Sequence, residues 1–413
     1  MDSTKATVQR QGERLIMPGL ATVHSHAFQR ALRGRTQRRA TQAGSFWSWR
    51  GLMYSLVEKL EPEDVFNISR FAYAELAMSG VTAVGEFHYL HHAPGGAPYA
   101  NRLAMAEAVI EAARAVGVRI TLIRTVYLRA GHGQALAPAQ QRFADAALAP
   151  IFQDVETLMQ RFAGDPLVRV ALAAHSIRAV PLYQVVELAA FAEAHALPFH
   201  MHVAEQRREI EECWQEYGRR PVELLAEAGV MGPRFVAVHA THLTGEEIAA
   251  LGRAGAFVCL CRTTERDLGD GLPQSRDLVQ AGVKLCLGVD SHAGSDAFEE
   301  IRAVELDDRS RTEARHVVAE AAGLLEMATS HGYQAIGFGQ AGQVDRVSLN
   351  ANDASLAGAA DDRLAEAVIF GATPRAVDEV VVEGRTIVGA GVHLAYEESL
   401  RGYSAALRKL GLA

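Results

Sequence analysis

The segment GLATVHSHA (19–27) decides the fold, because an apolar run leads directly into two histidines, His24 and His26. Successive side chains of a strand point to opposite faces, so such a run is typical of a strand that is covered on both sides. Seven further apolar runs have the same character, and they are VTAVGEFHYL (81–90), RITLIRTVYL (119–128), VRVALAAHSI (168–177), LPFHMHVAE (197–205), RFVAVHATHL (234–243), AFVCLCRTT (256–264) and VKLCLGVDSHA (283–293).

Longer segments with helical spacing separate these runs. Asp64–Ser79, Asn101–Val116 and Leu182–Ala196 carry apolar residues three and four positions apart, with a glycine or proline near the exit. Strands that alternate with helices form a parallel sheet, and eight such units predict an α/β fold with a (β/α)8 barrel of the TIM type. No GxGxxG motif follows the first strand, which disfavours a dinucleotide-binding sheet.

Polar residues at the strand ends support the barrel and predict where its active site lies. They are His24 and His26, Glu86 and His88, His175, His202 and Glu205, His239 and His242, and Asp290 and His292. Barrel enzymes build their active sites at the carboxyl ends of the strands. Core packing does not readily explain such residues at six strand ends, so we expect them to meet at one end of the barrel.

The last part of the chain changes character. After Asp345 the sequence contains DEVVVEGRTIVGAG, which indicates a strand, a glycine-containing turn and a second strand. We therefore predict a barrel over residues 18–342, and a small β-rich flanking domain built from residues 1–17 and 343–413. The N-terminal contribution to that domain is short.

Composition and charge exclude several classes of protein. Of 413 residues, 49% are hydrophobic and 22% charged, the balance of a folded globular protein. A net charge of −8 argues against a nucleic-acid or anionic-membrane partner. No apolar run approaches the roughly 18 residues that span a bilayer, and the N-terminus lacks the apolar core of a secretory signal. We expect a cytoplasmic protein whose four cysteines are core thiols.

Four strand-end residues have the pattern of a metal site. His24 and His26 lie two residues apart on one face of a strand, so both can reach a single ion. His202 ends another strand, and Glu205 three residues later supplies an acid–base group beside the attacking water. Asp290 offers an anionic ligand from the last strand. Three histidines and an aspartate accept zinc or iron(II), so the spacing alone leaves the metal open.

The metal-site segments resemble those of the amidohydrolase superfamily. The resemblance is carried by PGLATVHSHA, HMHVAE, VAVHATHL and GVDSHA, and it extends from Pro18 to the C-terminal flank. It implies that His24, His26, His202 and Asp290 bind one zinc ion per subunit. Glu205 and His239 would flank the attacking water. The fourth strand ends in His175, where two-metal members have a carboxylated lysine, and this suits the mononuclear deaminases.

A more specific resemblance is to the N-formimino-L-glutamate deiminase family of histidine degradation. It is carried by HSHAFQRALRG (24–34), SFWSWRGLMY (45–54), GEFHYLHH (85–92), AAHSIRAV (173–180), HVAEQRREIEEC (202–213) and TTERDLGDGLP (263–273). The resemblance implies hydrolysis of the formimino group to N-formyl-L-glutamate and ammonia, with Glu205, His239 and Asp290 as catalytic residues. It also implies a homodimer.

The substrate of that family is a small dicarboxylate, which requires cationic side chains in the pocket. Arg50 and Arg178 are suitably placed to bind carboxylates as bidentate partners. Gln29, Tyr89 and His175 match further substrate-contacting positions of the family.

The chain departs from the family pattern in its short N-terminus and at two other points. Arg262 stands where a CPTTE-like segment usually has proline, and we interpret it as an extra cation near the pocket that could shift substrate preference. The turn after Asp290 reads SHAGSDAFEE, without the expected Ser-Leu-Ser-Pro-like run.

Three alternatives to this function stay open from the sequence. One is hydrolysis of formimino-aspartate, and another is deamination of a guanine-like or cytosine-like base, for which two carboxylate-binding arginines have no use. The third is a barrel that binds ligands without catalysis, which would tolerate replacement of His24, Glu205 and the other polar strand-end residues.

Overall fold

The computed structural model describes residues 7–37 and 46–413. Its strands in chain order are β1 (Gln9–Gln11), β2 (Arg14–Pro18), β3 (Leu20–Ser25), β4 (Val81–His88), β5 (Arg119–Val126), β6 (Val168–Ala174), β7 (Phe199–Val203), β8 (Phe235–His239), β9 (Phe257–Leu260), β10 (Lys284–Leu287), β11 (Arg346–Asn350), β12 (Val377–Val382), β13 (Arg385–Gly389) and β14 (Val392–His393).

The α-helices alternate with the central strands and then cover the C-terminal part. They are α1 (Phe46–Val57), α2 (Pro62–Met78), α3 (Ala104–Val116), α4 (Leu148–Arg161), α5 (Leu182–Ala194), α6 (Arg207–Tyr217), α7 (Pro221–Glu227), α8 (Gly245–Ala254), α9 (Arg262–Leu268), α10 (Ser275–Gln280), α11 (Ala297–Thr312), α12 (Ala321–Ala328), α13 (Ser330–Ala335), α14 (Leu364–Gly371) and α15 (Tyr396–Leu410).

Strands β3 to β10 form a parallel sheet in which each strand pairs with the next one along the chain. The sheet closes where the residues after β10 meet β3. The amide of Asp290 donates to the carbonyl of His24 (3.0 Å), and the amide of His26 donates to the carbonyl of Asp290 (2.9 Å). All eight strands lie within the eight predicted runs, so the predicted barrel is confirmed. Its closure brings the first and last candidate ligand segments together.

Strand β9 is much shorter than the apolar run that predicted it. In the run 256–264, only Phe257–Leu260 is extended, and α9 begins at Arg262. The carboxylate of Glu265 in this helix accepts a hydrogen bond from the amide of Cys261 (2.9 Å). A side chain that bonds an amide just before the first turn stabilises the start of a helix, so the chain leaves the sheet early.

The flanking sheet has six antiparallel strands in the order β1-β2-β11-β12-β13-β14. Residues 7–17 contribute β1 and most of β2 at one edge, and residues 1–6 of the predicted domain lie outside the described residues. Helix α15 packs on α2 of the barrel, where Tyr403 stacks on Phe71 and Lys409 pairs with Asp64 at 2.7 Å. The domain boundaries at residues 18 and 342 stay a prediction.

A buried ion pair joins the flanking sheet to the amino ends of the barrel strands. The Arg119 guanidinium at the start of β5 donates to both carboxylate oxygens of Asp345, at 2.8 and 2.9 Å. Asp345 also accepts hydrogen bonds from the Tyr333 hydroxyl and the Glu383 amide, each at 3.0 Å. The side chains of Arg119 and Asp345 are 1% and 0% exposed. A charged pair at this end of a barrel serves stability rather than catalysis.

Replacing Asp345 by asparagine is expected to lower the free energy of unfolding by about 3 kcal/mol, because the buried Arg119 charge loses its buried carboxylate partner and keeps the Glu383 carboxylate, which is 44% exposed. Urea denaturation followed by circular dichroism measures the change. Asp361→Asn is the matched control, since Asp361 pairs with Arg10 at 2.5 Å but is 75% exposed; it should cost less than about 1 kcal/mol. Equal effects of the two substitutions would contradict a stabilising role for the buried pair.

The four cysteines are buried and free, in agreement with the predicted core thiols. Cys259, Cys261 and Cys286 belong to an apolar cluster with Val23 and Val238 inside the barrel. Among the described residues, no helix combines the length and the apolar character that crossing a membrane requires.

Candidate active site at the carboxyl ends of the barrel strands

Three histidine side chains converge at the ends of β3 and β7. The Nε2 atom of His24 lies 3.1 Å from Nε2 of His26 and 3.1 Å from Nε2 of His202. The Nδ1–H of His26 donates to the carbonyl of Phe87 (2.9 Å), and that of His202 donates to the carbonyl of His175 (2.9 Å). Because a carbonyl only accepts, these bonds leave the Nε2 lone pairs of both rings available to a metal.

Burial keeps these imidazoles neutral. It lowers the pKa of His26 to about 3 and lowers the pKa values of His24 and His202 well below the usual value, with neighbouring histidines adding to the effect in both. Histidine binds a metal as the neutral imidazole. The cluster is therefore already in the protonation state that metal binding requires.

Asp290 completes a set of four donor residues. Its Oδ1 atom lies 3.3 Å from Nε2 of His26 and 3.5 Å from Nε2 of His24. A zinc ion bonded at about 2.0–2.1 Å in a tetrahedral site holds its ligand atoms about 3.3 Å apart, so these spacings fit such an ion. Among the described residues, two groups that include His24 have ligand atoms close enough to hold one ion, and they are His24, His26 and His202, and His24, His239 and Asp290.

Replacing His202 by alanine is expected to lower the affinity for zinc by about 100-fold or more, because one of four ligands is lost. Competition with a zinc-binding dye measures the affinity without any substrate. His242→Ala is the control, since His242 also follows a barrel strand but belongs to neither group of ligand atoms. Wild-type affinity in the His202 variant would contradict the assigned ligand set.

Glu205 and His239 face the cluster from the ends of β7 and β8. The Nε2 atom of His239 lies 3.9 Å from Oε1 of Glu205 and 3.8 Å from Oδ2 of Asp290. Burial lowers the pKa of His239, but the charge of Glu205 and hydrogen bonds to Cys261 and Glu265 outweigh it and raise this pKa well above its usual value. Burial raises the pKa of Asp290 to about 7. The imidazole of His239 therefore lies within 4 Å of two carboxylates, a placement that suits acid–base chemistry.

A second carboxylate supports Glu205 from behind. Glu209, in the first turn of α6, accepts hydrogen bonds from the amides of Ala204 (3.2 Å) and Glu205 (3.1 Å). Burial, together with the charge of Glu205, raises the pKa of Glu209 to about 7. These two hydrogen bonds fix the backbone turn that follows β7 and contains Glu205.

Strained backbone is concentrated at this end of the barrel. Ala204, His239, Ala240, Asp290 and His292 all have φ between 51° and 70°, the left-handed region that residues with a Cβ rarely adopt. Each such residue costs of order 1–3 kcal/mol, and such costs are typical of functional sites. The strain lies at the ends of β7, β8 and β10, where the acid–base groups are placed.

A cleft of about 840 Å³ opens over the cluster. All ten predicted site residues other than His24 line it, and they are His26, Gln29, Arg50, Tyr89, His175, Arg178, His202, Glu205, His239 and Asp290. His24 lies behind them and is fully buried. The structure thus brings the predicted metal, acid–base and substrate residues into one cavity.

Two arginines line the cleft beside tyrosines. Arg178 donates to the carbonyl of Ala130 (2.7 Å) and to the hydroxyl of Tyr127 (3.2 Å), and Arg50 donates to the hydroxyl of Tyr54 (2.6 Å). Within the part of the chain that the structure describes, Arg178 forms no ion pair with a carboxylate at 4 Å or less. Its charge is therefore available to an anionic ligand. Ser45 of the segment that carries Arg50 lies outside the described residues.

The other predicted substrate residues form the floor and one wall. The side-chain amide of Gln29 donates to the Tyr89 hydroxyl (2.9 Å), and its buried oxygen has no hydrogen-bond partner among the described residues. Burial lowers the pKa of His175, whose ring lies edge-on to His202 with centroids 4.8 Å apart. A neutral imidazole and an unused amide oxygen are suited to a polar, hydrogen-bonding ligand.

Besides His24, four polar strand-end residues lie outside the cleft wall, and they are Glu86, His88, His242 and His292. His88 is buried beside His91, with ring centroids 5.3 Å apart, and His292 contacts the Ser25 hydroxyl at 2.9 Å. His242 is likewise absent from the cleft wall. The expectation that all strand-end residues meet is wrong for these four. Glu86 and His88 lie within β4 on the face opposite Phe87, which contacts His24. His242 and His292 follow β8 and β10 and take the direction of their loops.

The interpretation of Arg262 as a pocket cation is wrong. Its side chain is fully buried behind the cleft, where the guanidinium pairs with Glu265 and with Asp307, at 2.7 Å from the latter. The early start of α9 turns this side chain toward α11 instead of the cleft. Two carboxylates neutralise its charge, so it exerts little attraction on a ligand.

Sequence reasoning missed several residues of the site. Tyr54 and Tyr127 line the cleft and orient the arginines, while Glu209 and Glu265 hold Glu205 and His239. Glu209 lies within HVAEQRREIEEC (202–213) and Glu265 within TTERDLGDGLP (263–273), so the family resemblance could have pointed to both residues. Their roles depend on which amide or ring each carboxylate reaches.

The match to known proteins identifies the family. The model of the Amidohydrolase family matches residues 15–387, nearly the whole chain. The chain belongs to the amidohydrolase family. This amidohydrolase is 36% identical to a formimidoylglutamate deiminase of Pseudomonas aeruginosa, over 96% of this chain and 89% of the relative. It is 32% identical to an 8-oxoguanine deaminase of the same organism, over 68% of this chain and 61% of the relative.

Solved structures agree with this assignment. The crystal structure of an amidohydrolase from Brucella melitensis is similar with a TM-score of 0.89 and 32% identity, covering 98% of this chain and 96% of that one. The predicted superfamily is therefore confirmed, and the chain is an enzyme whose relatives include deaminases. A barrel without catalysis is disfavoured.

Proposed function

We propose that this amidohydrolase hydrolyses N-formimino-L-glutamate to N-formyl-L-glutamate and ammonia. The observation that carries the proposal is that two groups able to hold a metal, which share the buried His24, lie at the same cleft as Arg178, whose guanidinium forms no ion pair with a carboxylate among the described residues. A dicarboxylate amidine needs both a hydrolytic centre and a cation beside it. The similarity to a formimidoylglutamate deiminase supports the same substrate.

We propose one zinc ion, held by His24, His26, His202 and Asp290, and iron(II) also suits this donor set. Bound there, zinc would act as a Lewis acid that lowers the pKa of the attacking water toward about 7. The proton transfers would be carried out by side chains that face the proposed zinc position.

The chain's own residues manage the protons. The water oxygen bonds to the formimino carbon while Glu205 and Asp290 accept protons from the water. They return these protons to the terminal nitrogen, the bond from carbon to that nitrogen breaks, and the nitrogen leaves as ammonia. His239 Nε2, 3.9 Å from Glu205 and 3.8 Å from Asp290, stabilises the charge that develops on oxygen.

The arginines orient the substrate. Arg178 would bind one carboxylate of the substrate and Arg50 the other, while Gln29, Tyr89 and His175 contact the polar atoms between them. The cleft residues Tyr54 and Tyr127 each contact one arginine, which restricts the guanidinium orientation before substrate binds. Binding in a fixed orientation places the formimino carbon over the reaction centre.

The test is ammonia release by the zinc-loaded protein from N-formimino-L-glutamate, compared with N-formimino-L-aspartate, guanine, 8-oxoguanine and cytosine. We expect kcat/KM for the glutamate derivative to exceed that for each other compound by at least about 100-fold. The reason is that its two carboxylates are expected to contact both Arg178 and Arg50. Preference for formimino-aspartate would support the deiminase reaction but assign it a shorter substrate. Preference for a base would overturn the proposal in favour of a nucleobase deaminase.

Cytoplasmic location and assembly as a homodimer complete the proposal, as expectations from the family resemblance. Size-exclusion chromatography with light scattering measures the assembly state.

A further inference from the structure

The side of His239 that faces away from the cleft contacts a buried carboxylate. The Nδ1 atom of His239 lies 3.2 Å from Oε1 of Glu265, while its Nε2 atom faces Glu205 and Asp290. Glu265 lies in α9, the helix that starts directly after β9, and its side chain is 0% exposed. The ring is thus placed between a carboxylate that cannot reach substrate and two that can.

Glu265 is itself held from three directions. Its Oε1 atom accepts a hydrogen bond from the Cys261 amide (2.9 Å), and its Oε2 atom contacts the guanidinium of Arg262. Burial favours the neutral acid, but hydrogen bonds from His239 and the charge of Arg262 hold the pKa of Glu265 below its usual value. An ionised carboxylate can only accept hydrogen bonds, so the ring nitrogen that faces it must carry a proton.

Arg262 connects this carboxylate to the outer helices. Its Nε and Nη2 atoms contact Asp307 in α11 at 2.8 and 2.7 Å, and Arg266 contacts the same carboxylate at 2.6 Å. Arg262 therefore cannot swing toward the cleft without breaking several charged contacts. The chain Asp307–Arg262–Glu265–His239 leads from the surface of the barrel to the reaction centre.

A second metal ion is the competing explanation for this cluster. His239, Cys261 and Glu265 have ligand atoms close enough together to hold an ion. The Arg262 guanidinium on the second oxygen of Glu265 opposes that explanation, because a cation there would lie beside a fixed positive charge. A hydrogen-bonded histidine accounts for the contacts without an extra ion.

The backbone of His239 explains why the ring needs support. His239 and Ala240 have φ of 70° and 51°, so the turn after β8 is strained. Relaxation of that turn would rotate the imidazole away from Glu205. A hydrogen bond on Nδ1 opposes the rotation and leaves only Nε2 directed at the substrate.

We propose that Glu265 is a positioning residue for the hydrolysis: through its hydrogen bond it keeps a proton on Nδ1 of His239, so that proton exchange with the reacting atoms is confined to Nε2. Arg262 anchors Glu265 in this role. The catalytic consequence rests on the proposed function, whereas the position of the ring proton does not.

The first experiment locates that proton without substrate. Nitrogen-15 spectra of protein labelled in histidine, with His239 assigned by the signals lost in His239→Asn, distinguish protonated from unprotonated ring nitrogens. We expect Nδ1 of His239 to be protonated in the wild-type enzyme. In Glu265→Gln the amide can donate to Nδ1, so a signal from unprotonated Nδ1 should appear. Unprotonated Nδ1 in the wild-type enzyme would overturn the proposal even if the variant failed to fold.

The second experiment measures the consequence for catalysis. Glu265→Gln is expected to lower kcat about 100-fold, as loss of a histidine-orienting carboxylate does, with KM changed less than about threefold. Zinc per chain should stay at the wild-type value, which also tests the second-metal explanation. A kcat within twofold of wild type, or a loss of one zinc per chain, would overturn the proposal.

Glu300→Gln is the matched control. Glu300 is also buried and also contacts α9, through the Thr263 amide at 3.2 Å, but the structure places it in contact with neither His239 nor the cleft. We expect its kcat within threefold of wild type. If the wild-type enzyme released no ammonia from N-formimino-L-glutamate, the proposed function would fail while the ring-proton measurement still decided the role of Glu265.

Discussion

Replacing Glu205 by glutamine is expected to lower kcat for N-formimino-L-glutamate by about 1,000-fold. The amide has nearly the same shape but cannot accept the proton of the attacking water or return it to the leaving nitrogen. Zinc content should not change, because Glu205 is not among the four proposed ligands. Ammonia release under substrate saturation measures kcat, and elemental analysis of the same sample measures the metal.

Glu211→Gln is the control for that substitution. Glu211 lies in α6, six residues after Glu205, and its side chain is exposed. Its kcat should equal the wild-type value. A loss of less than tenfold in the Glu205 variant would mean that Asp290 or His239 carries the protons without it, and the division of roles proposed here would be wrong.

Replacing Arg178 by methionine is expected to lower kcat/KM for N-formimino-L-glutamate by about 100-fold, mainly through KM. The variant loses a charge-assisted contact with a substrate carboxylate, which is worth about 1.5–3 kcal/mol. A small neutral amidine, which has no carboxylate to bind, should be hydrolysed at the wild-type rate. Steady-state kinetics on both compounds measures the contrast.

Arg178→Lys separates charge from geometry. Lysine keeps the positive charge but not the planar guanidinium, so the expected loss is intermediate, about tenfold. Equal losses on the dicarboxylate and on the neutral amidine would show that Arg178 supports the fold of the cleft, through Tyr127 and the carbonyl of Ala130, rather than substrate binding.

The burial of the site explains why these effects should be large. His24, His26, His239 and Asp290 are all at most 5% exposed, so water screens their interactions weakly. The strained turns at His239 and Asp290 persist because surrounding contacts hold them, such as the barrel closure between Asp290 and β3. Small changes in the supporting contacts therefore change the alignment of the reacting groups.

The strands and the candidate ligands could be predicted because they depend on local pattern. An apolar run of strand length that ends in HSH at residues 24–26, or in HVAE at 202–205, indicates both a buried strand and the polar side chains at its carboxyl end. Parallel strands have their carboxyl ends at the same edge, so these side chains were expected to be close. The measured distances of 3.1 Å between Nε2 atoms agree with that expectation.

The supporting contacts could not be predicted in the same way. Glu209 reaches back to two amides because α6 starts with a sharp turn, and Arg262 points away from the cleft because α9 starts early. Three histidines at strand ends, His88, His242 and His292, resemble ligands in sequence yet lie elsewhere. His88 lies within β4, on the strand face opposite Phe87, whereas loop direction decides the other cases and depends on contacts between residues that are far apart in the chain.

The amino-acid sequence was enough to predict the barrel and the family, which are confirmed, and to propose which side chains bind the metal and which act as acids and bases. These properties follow from hydrophobic period and from residue type, which are local. The spatial arrangement was needed to show that Arg178 lines the cleft without an ion pair while Arg262 is paired with two carboxylates, and that Glu265 contacts His239. The physical reason is that the charge a side chain presents depends on its neighbours in space, and here those neighbours come from separate helices such as α9 and α11.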